Sequence, residues 1–141
     1  MGEIATVGRL TYTVADSTWR GQLGDIFKTR SPEHRFLLVT ISVTNHARDD
    51  ISIPLLNLEN RAGQTFRELD NGDGVENWIG LFRMISPTQT IQGRLLFDVP
   101  LSSYKLRLSD GQAGAETIAH VEIPLRLDSG IDTITPLPAV K

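Results

Sequence analysis

From Phe36 to Asn45 the chain reads FLLVTISVTN, with Leu37, Val39, Ile41 and Val43 at every second position and Thr40, Ser42 and Thr44 between them. A period of two carried by β-branched residues predicts a strand with one buried and one wetter face. Phe36 and Leu38 make its first half apolar on both faces, so this end is expected deep in the molecule and the strand central to an all-β domain. The alternation returns at 6–14, where Leu10, Tyr12 and Val14 oppose Arg9, Thr11 and Thr13, and again at 64–69, 90–99 and 104–108. Between 51 and 58 the apolar phase shifts from Ile51 and Ile53 to Leu56 and Leu58 around Pro54, which predicts an edge segment with a bulge. A last strand is expected over 117–127, with Ala119, Val121, Ile123, Leu125 and Leu127 inward.

Asn45–Asp50 (NHARDD), Asn60–Gly63 (NRAG) and Asp110–Gly114 (DGQAG) carry turn chemistry. Residues 15–24 lose the alternation and read as a loop whose Trp19 folds back onto the core. Seven or eight short strands joined by turns predict an antiparallel β-sandwich. It occupies residues 1–127, followed by a tail or linker over 128–141 with two prolines and no sustained pattern.

The period turns helical once. Val75, Trp78, Ile79, Phe82 and Ile85 fall three and four residues apart, predicting at most one short helix, weakened by Gly80 and ended by Pro87. Its Trp78–Ile79–Phe82 side would pack inward, and one reading is a plug for an open end of the sandwich. The other is a partner-binding patch of Trp78, Leu81, Phe82, Arg83 and Met84, residue types enriched in interface cores.

The chain of 141 residues fits one domain, and its net charge of −3 argues against a nucleic-acid partner, which needs a basic surface. With no cysteine, disulfides, thiolate metal sites and cysteine nucleophiles are excluded. No apolar run approaches the ~18 residues of a membrane span. The opening MGEIATVGRL lacks the basic and apolar regions of an export signal, which leaves a cytosolic protein or a chain beginning after a removed export segment.

Candidate chemistry is sparse. Asp70–Asn77 (DNGDGVEN) clusters oxygen ligands, yet no register fits a calcium loop: starting at Asp70 puts Gly72 and Gly74 at ligand positions, and starting at Asn71 gives Asp73 but then Val75. Lys28–Arg35 (KTRSPEHR) could hold an anion but has no glycine-rich turn or helix start beside it. His34, His46 and His120 fall in a loop, a turn and an outward strand position. His46 with Asp49 and Asp50 has a spacing suited to a helix rather than a turn. Glu68 with Asp70 or Glu76 could imitate a glycosidase pair, but nothing in the sequence predicts a raised pKa. No G-x-S-x-G elbow is present. The expectation is a non-enzyme without cofactor or metal, with small-molecule or metal-ion binding through loop 70–77 as the alternative.

Three pieces carry a resemblance: FLLVTISVTN at 36–45, IPLLNLENRAGQTFREL at 53–69 and ISPTQTIQGRLLFDVPLSSYKLRL at 85–108. Together they resemble a bacterial immunoglobulin-like family of unknown function, related to the secreted immunoprotective antigen of mycobacteria and often mislabelled telomeric repeat-binding factor 2. The Val43-Thr44-Asn45 end of the central strand and the Gly93–Pro100 run followed by Tyr104 are its most telling parts. The resemblance implies an immunoglobulin-like sandwich and an extracytoplasmic protein, secreted or lipid-anchored through an N-terminal cysteine that this chain lacks. It brings no catalytic residue, and the favoured expectation is a non-catalytic extracytoplasmic interaction module for a protein, glycan or other cell-envelope component. Tyr104, four residues after Pro100, stands where such sandwiches place a tyrosine whose hydroxyl bonds the preceding corner.

Overall fold

The computed structural model describes residues 2–24, 27–112 and 116–125. The chain runs β1 (Glu3–Val7), β2 (Leu10–Arg20), β3 (Leu23–Gly24), β4 (Thr29–Arg30), β5 (Arg35–Asn45) and β6 (Ile51–Ser52). It continues through β7 (Asn57–Glu59), β8 (Thr65–Arg67), β9 (Met84–Ile85), β10 (Thr90–Val99), β11 (Tyr104–Ser109) and β12 (Ile118–Ile123). Two four-stranded sheets, ordered β1-β2-β5-β10 and β12-β11-β7-β8, face each other, with the short pairs β3-β4 and β6-β9 beside them. The expected immunoglobulin-like antiparallel sandwich is the fold observed.

The predicted central strand, β5, lies between β2 and β10 and pairs with both along nearly its whole length. Val39, Ile41 and Val43 are fully buried between the sheets, while Thr40 and Ser42 are half-buried on the outward side. Each such apolar side chain contributes about 1.5–3 kcal/mol relative to exposure. Phe36 and Leu38 point the other way and are buried under a second, smaller cluster with Leu23 and Leu96, packed against Leu69 and Val75. The β3-β4 pair and the segment after β8 thus roof one end of the first sheet, which is why both faces are apolar there.

Three expectations are corrected near the N-terminus and in the middle of the chain. Residues 6–14 are not one strand: Gly8 (φ 56°) opens a two-residue turn between paired Val7 and Leu10, a geometry that favours glycine at its first position. Residues 15–20 are not a loop. One extra residue, Ala15, makes a bulge between Val14 and Asp16, and β2 continues to Arg20 in the opposite phase, with Ser17 and Trp19 inward. Trp19 reaches the core as expected.

The helix expected near 75–85 does not form, and no residue among those described is helical. Asn77, Gly80 and Phe82 have φ of 59°, 85° and 51°, values that a right-handed helix excludes. The free edge of β10 wins the segment instead: the Ile79 N–H donates to Arg94 O (3.0 Å) and the Arg94 N–H to Asn77 O (2.8 Å). Gly93 permits this approach, since a Cβ there would stand 2.8 Å from that of Ile79. At the other end β12 stops at Ile123 because Pro124 has no N–H for the ladder, so Leu125 is exposed rather than inward. Leu127 and the tail 128–141 lie outside the described residues.

Candidate functional site

The outward face of the first sheet is built in cross-strand rows. Thr6, Thr11, Thr44 and Thr90 stand opposite one another across all four strands. Thr6 and Thr11 Oγ1 are 3.1 Å apart, Thr44 and Thr90 Oγ1 2.6 Å, and His46 Nε2 lies 2.8 Å from Thr11 Oγ1. Ile4, Thr13, Ser42 and Gln92 make the next row, and Asp16, Thr40 and Arg94 the one after it. Here Asp16, Thr40, Asn77, Gln92 and Arg94 enclose an open cavity of about 460 Å³. Arg94 also lines a smaller one of about 220 Å³ with Arg20, Gln22 and Glu76, under the roof made by β3 and Gly74.

On the outward face of the second sheet the rows are charged. Glu122, Lys105, Glu59 and Thr65 form one, and His120, Arg107, Asn57 and Arg67 another. His120 Nε2 lies 3.3 Å from Glu59 Oε1, and the Arg107 guanidinium 3.5 Å from Glu116. A depression of about 570 Å³ at one end is lined by Glu59, Arg61, Ser103, Tyr104, Lys105 and Glu122.

Among the described residues, two carboxyl groups lie inside. Glu68 is 6% exposed, takes the Leu56 N–H on Oε2 (2.8 Å) and returns its own N–H to Leu56 O (3.3 Å). Its Oε1 has no partner, and burial pushes its pKa up to about 7 against the bond from Leu56. Asp110 is as buried, with Oδ1 accepting from Gln112 and Thr117. Between them Tyr12 donates to Ser109 O (2.7 Å), and burial, then Asp110, then Glu68 hold its hydroxyl well above the ordinary tyrosine range. This raised carboxyl is a departure from the sequence reading, although Phe66 and Glu68 share a parity that points both inward. The paired-carboxylate reading does not assemble: Asp70 and Glu76 are exposed, and Glu76 lines the outward cavity.

The proposed patch divides. Trp78 bridges Arg94 at the edge of β10 and lies against Gly72, while Ile79 enters the core. Phe82 and Met84 are 59% and 56% exposed, and Leu81 is half-buried. In the acidic loop Arg30 Nη1 donates to the carbonyls of Asn71 (2.7 Å) and Asp73 (3.0 Å), placing a guanidinium against oxygens that a cation would need. The 28–35 loop is pinned by Asp98, whose oxygens accept the N–H groups of Glu33 (2.7 Å) and His34 (2.8 Å). Among the described residues, no group of three acidic or histidine side chains could hold a metal.

Two residues in the resembling stretches have structural roles. Tyr104 donates to Pro100 O at 2.5 Å, the corner bond expected of it. Asn45 is fully buried, donates to the carbonyls of Asp49 and Ile85 (both 2.8 Å) and accepts the Ala47 N–H (2.7 Å), so every hydrogen-bonding group of its amide is engaged.

Residues 1–117 match the model of DUF4352, a domain of unknown function. Among solved structures, the fold is similar to that of ycdA, a candidate lipoprotein from Bacillus subtilis (16% identity, TM-score 0.66), over 86% of this chain and 38% of that one. This chain therefore spans well under half the length of that protein. The yjhA protein from Bacillus subtilis is similar over 86% of this chain and 97% of its own (14% identity, TM-score 0.63). An uncharacterized β-sandwich protein from Clostridium difficile is similar over 86% and 91% (12% identity, TM-score 0.51). At these identities the likeness concerns the fold. No curated protein matches the chain in sequence. No helix among the described residues is long and apolar enough to cross a membrane.

Proposed function

The chain belongs to the DUF4352 family, and on that premise we propose that it is a non-catalytic interaction module of the bacterial cell envelope, binding a protein or glycan partner. The observation that carries this reading is the outward face of the first sheet. Its hydroxyl, amide and charged side chains stand in register on strands of ten or eleven residues, a rigid platform for a partner. The candidate lipoprotein with this fold supports an envelope location, secreted or lipid-anchored. For the alternative, small-molecule or metal-ion binding through loop 70–77, Arg30 counts against an ion because it takes two of the loop's carbonyls.

Co-sedimentation of the domain with purified bacterial cell-wall and membrane fractions tests the proposal. Retention should be lost when Ser42 and Thr44 are replaced by arginine and kept when Lys105 is replaced by glutamine on the opposite face. Absence of retention by either fraction would end it. A second reading rests on the exposure of Phe82 and Met84, which offer a protein partner an apolar edge beside Arg83. In that case Phe82→Ser and Met84→Ser would abolish retention without moving the urea midpoint.

A further inference from the structure

The cavity bounded by Asp16, Thr40, Asn77, Gln92 and Arg94 draws its lining from three strands and one edge segment. Each residue arrives by a separate device. The bulge at Ala15 turns Asp16 outward, where it stands opposite Thr40; uninterrupted alternation from Val14 would have sent it into the core. Arg94 faces Thr40 from the other side in the same row, and Gln92 follows two residues earlier on the same face. Asn77, in the left-handed region that asparagine tolerates, is held to β10 by the bond from the Arg94 N–H.

The chemistry of the set is specific. Asp16 only accepts hydrogen bonds, Arg94 only donates them, and Thr40, Asn77 and Gln92 do both. A sugar hydroxyl also does both. Two neighbouring hydroxyls can each donate to one carboxylate while their oxygens accept from a guanidinium fork. The opposite charges of Asp16 and Arg94 cancel within the cavity, so its complement is a neutral polyol rather than a polyanion. Arg94 also lines the adjoining cavity with Gln22 and Glu76, which extends the surface beyond one ring.

We infer that this cavity binds a neutral saccharide of the cell envelope through vicinal hydroxyls, with Asp16 as acceptor and Arg94 as donor. The inference rests on the envelope reading above and commits it to a glycan.

The test titrates the full chain with a glucose hexamer, an N-acetylglucosamine hexamer and polygalacturonate, followed by calorimetry and amide NMR. A neutral hexamer should shift the amides of Thr40, Gln92 and Arg94. Asp16→Ala and Arg94→Gln should each weaken binding at least tenfold with an unchanged urea midpoint, and Lys105→Gln on the opposite face should leave it unchanged. Binding of polygalacturonate alone, lost on removal of Arg20 and Arg94, would overturn the inference in favour of an anion site. If envelope fractions retain the chain but no saccharide shifts these amides, the inference fails and the interaction module stands. If a hexamer binds but the fractions retain nothing, the envelope reading fails and the saccharide site stands.

Discussion

The two sheets solve the same problem by different means. In the first, β2, β5 and β10 are ten or eleven residues long and pair almost end to end, so backbone ladder and buried Val, Ile and Leu hold the sheet together. In the second, the strands are three to six residues long. There, individual side chains supply fixings: Tyr104 ties the corner at Pro100, Glu68 clips the exit of β8 to Leu56, and the side-chain contacts Arg107–Glu116 and His120–Glu59 cross the outward face. A sheet secured from within can leave its outward face to hydroxyls and amides poised for a ligand. A sheet with little backbone pairing spends its polar groups on itself.

The sharpest way to break that contrast is to attack the first sheet from its two sides. Val39→Asp puts an unpaired charge between the sheets at a cost of several kcal/mol, enough to unfold a domain of ordinary stability. Ser42→Asp, half-buried on the outward side, should cost about 1 kcal/mol or less. Circular dichroism at 25 °C and urea midpoints read both. Equal tolerance of both would show that the register is wrong and that Val39 does not face the core.

The second sheet should reveal itself through pH. Glu68 has its pKa raised from 4.5 to about 7, so the folded state holds a proton that the unfolded chain has released. The stability this lends is fully present below pH 4.5 and is lost as pH rises through 7, a change of roughly 3 kcal/mol. Glu68→Gln keeps an acceptor for the Leu56 N–H and removes the charge. The variant should match the parent near pH 4.5 and exceed it in urea midpoint at pH 8. A parent–variant difference that does not change with pH would show that the clip stays neutral or well solvated throughout.

This contrast was legible in the sequence only in part. Long alternations betray long strands, and β5, β10 and β11 stand where the pattern put them. Ala15 hid the second half of β2, because a single extra residue reverses the phase and looks like its loss. The spacing of Val75, Trp78, Ile79 and Phe82 imitates a helix, but hydrogen bonds from β10 and three positive φ values decide otherwise. The cavity was not legible at all, because Asp16, Thr40, Asn77 and Arg94 meet through register between distant segments. The Tyr104 bond was readable because proline and tyrosine lie four residues apart in one corner.

A smaller effect is expected at that corner. Tyr104→Phe keeps the ring against Trp19 (centroids 6.3 Å apart) and Phe66 (5.8 Å, edge-on) and deletes only the hydroxyl bonded to Pro100 O. The loss should be about 1 kcal/mol in equilibrium urea unfolding. A variant as stable as the parent would leave the second sheet with one fixing fewer than the contrast requires.

The smallest effect should come from the charged face. His120 and Glu59 are 42% and 27% exposed at the side chain, Arg107 and Glu116 25% and 41%, so water and salt screen both pairs. Exposed pairs are typically worth about 0–1 kcal/mol. Glu59→Gln and Arg107→Gln should therefore each move the urea midpoint little, and raising the salt to ~1 M should erase what difference remains, since the Debye length is then about 3 Å. Neither variant should alter retention by envelope fractions, because the platform lies on the opposite side of the sandwich. If Glu59→Gln cost several kcal/mol, the short second sheet would depend on its surface charges as the first depends on its core. If it abolished retention instead, the charged rows rather than the hydroxyl rows would be the binding face.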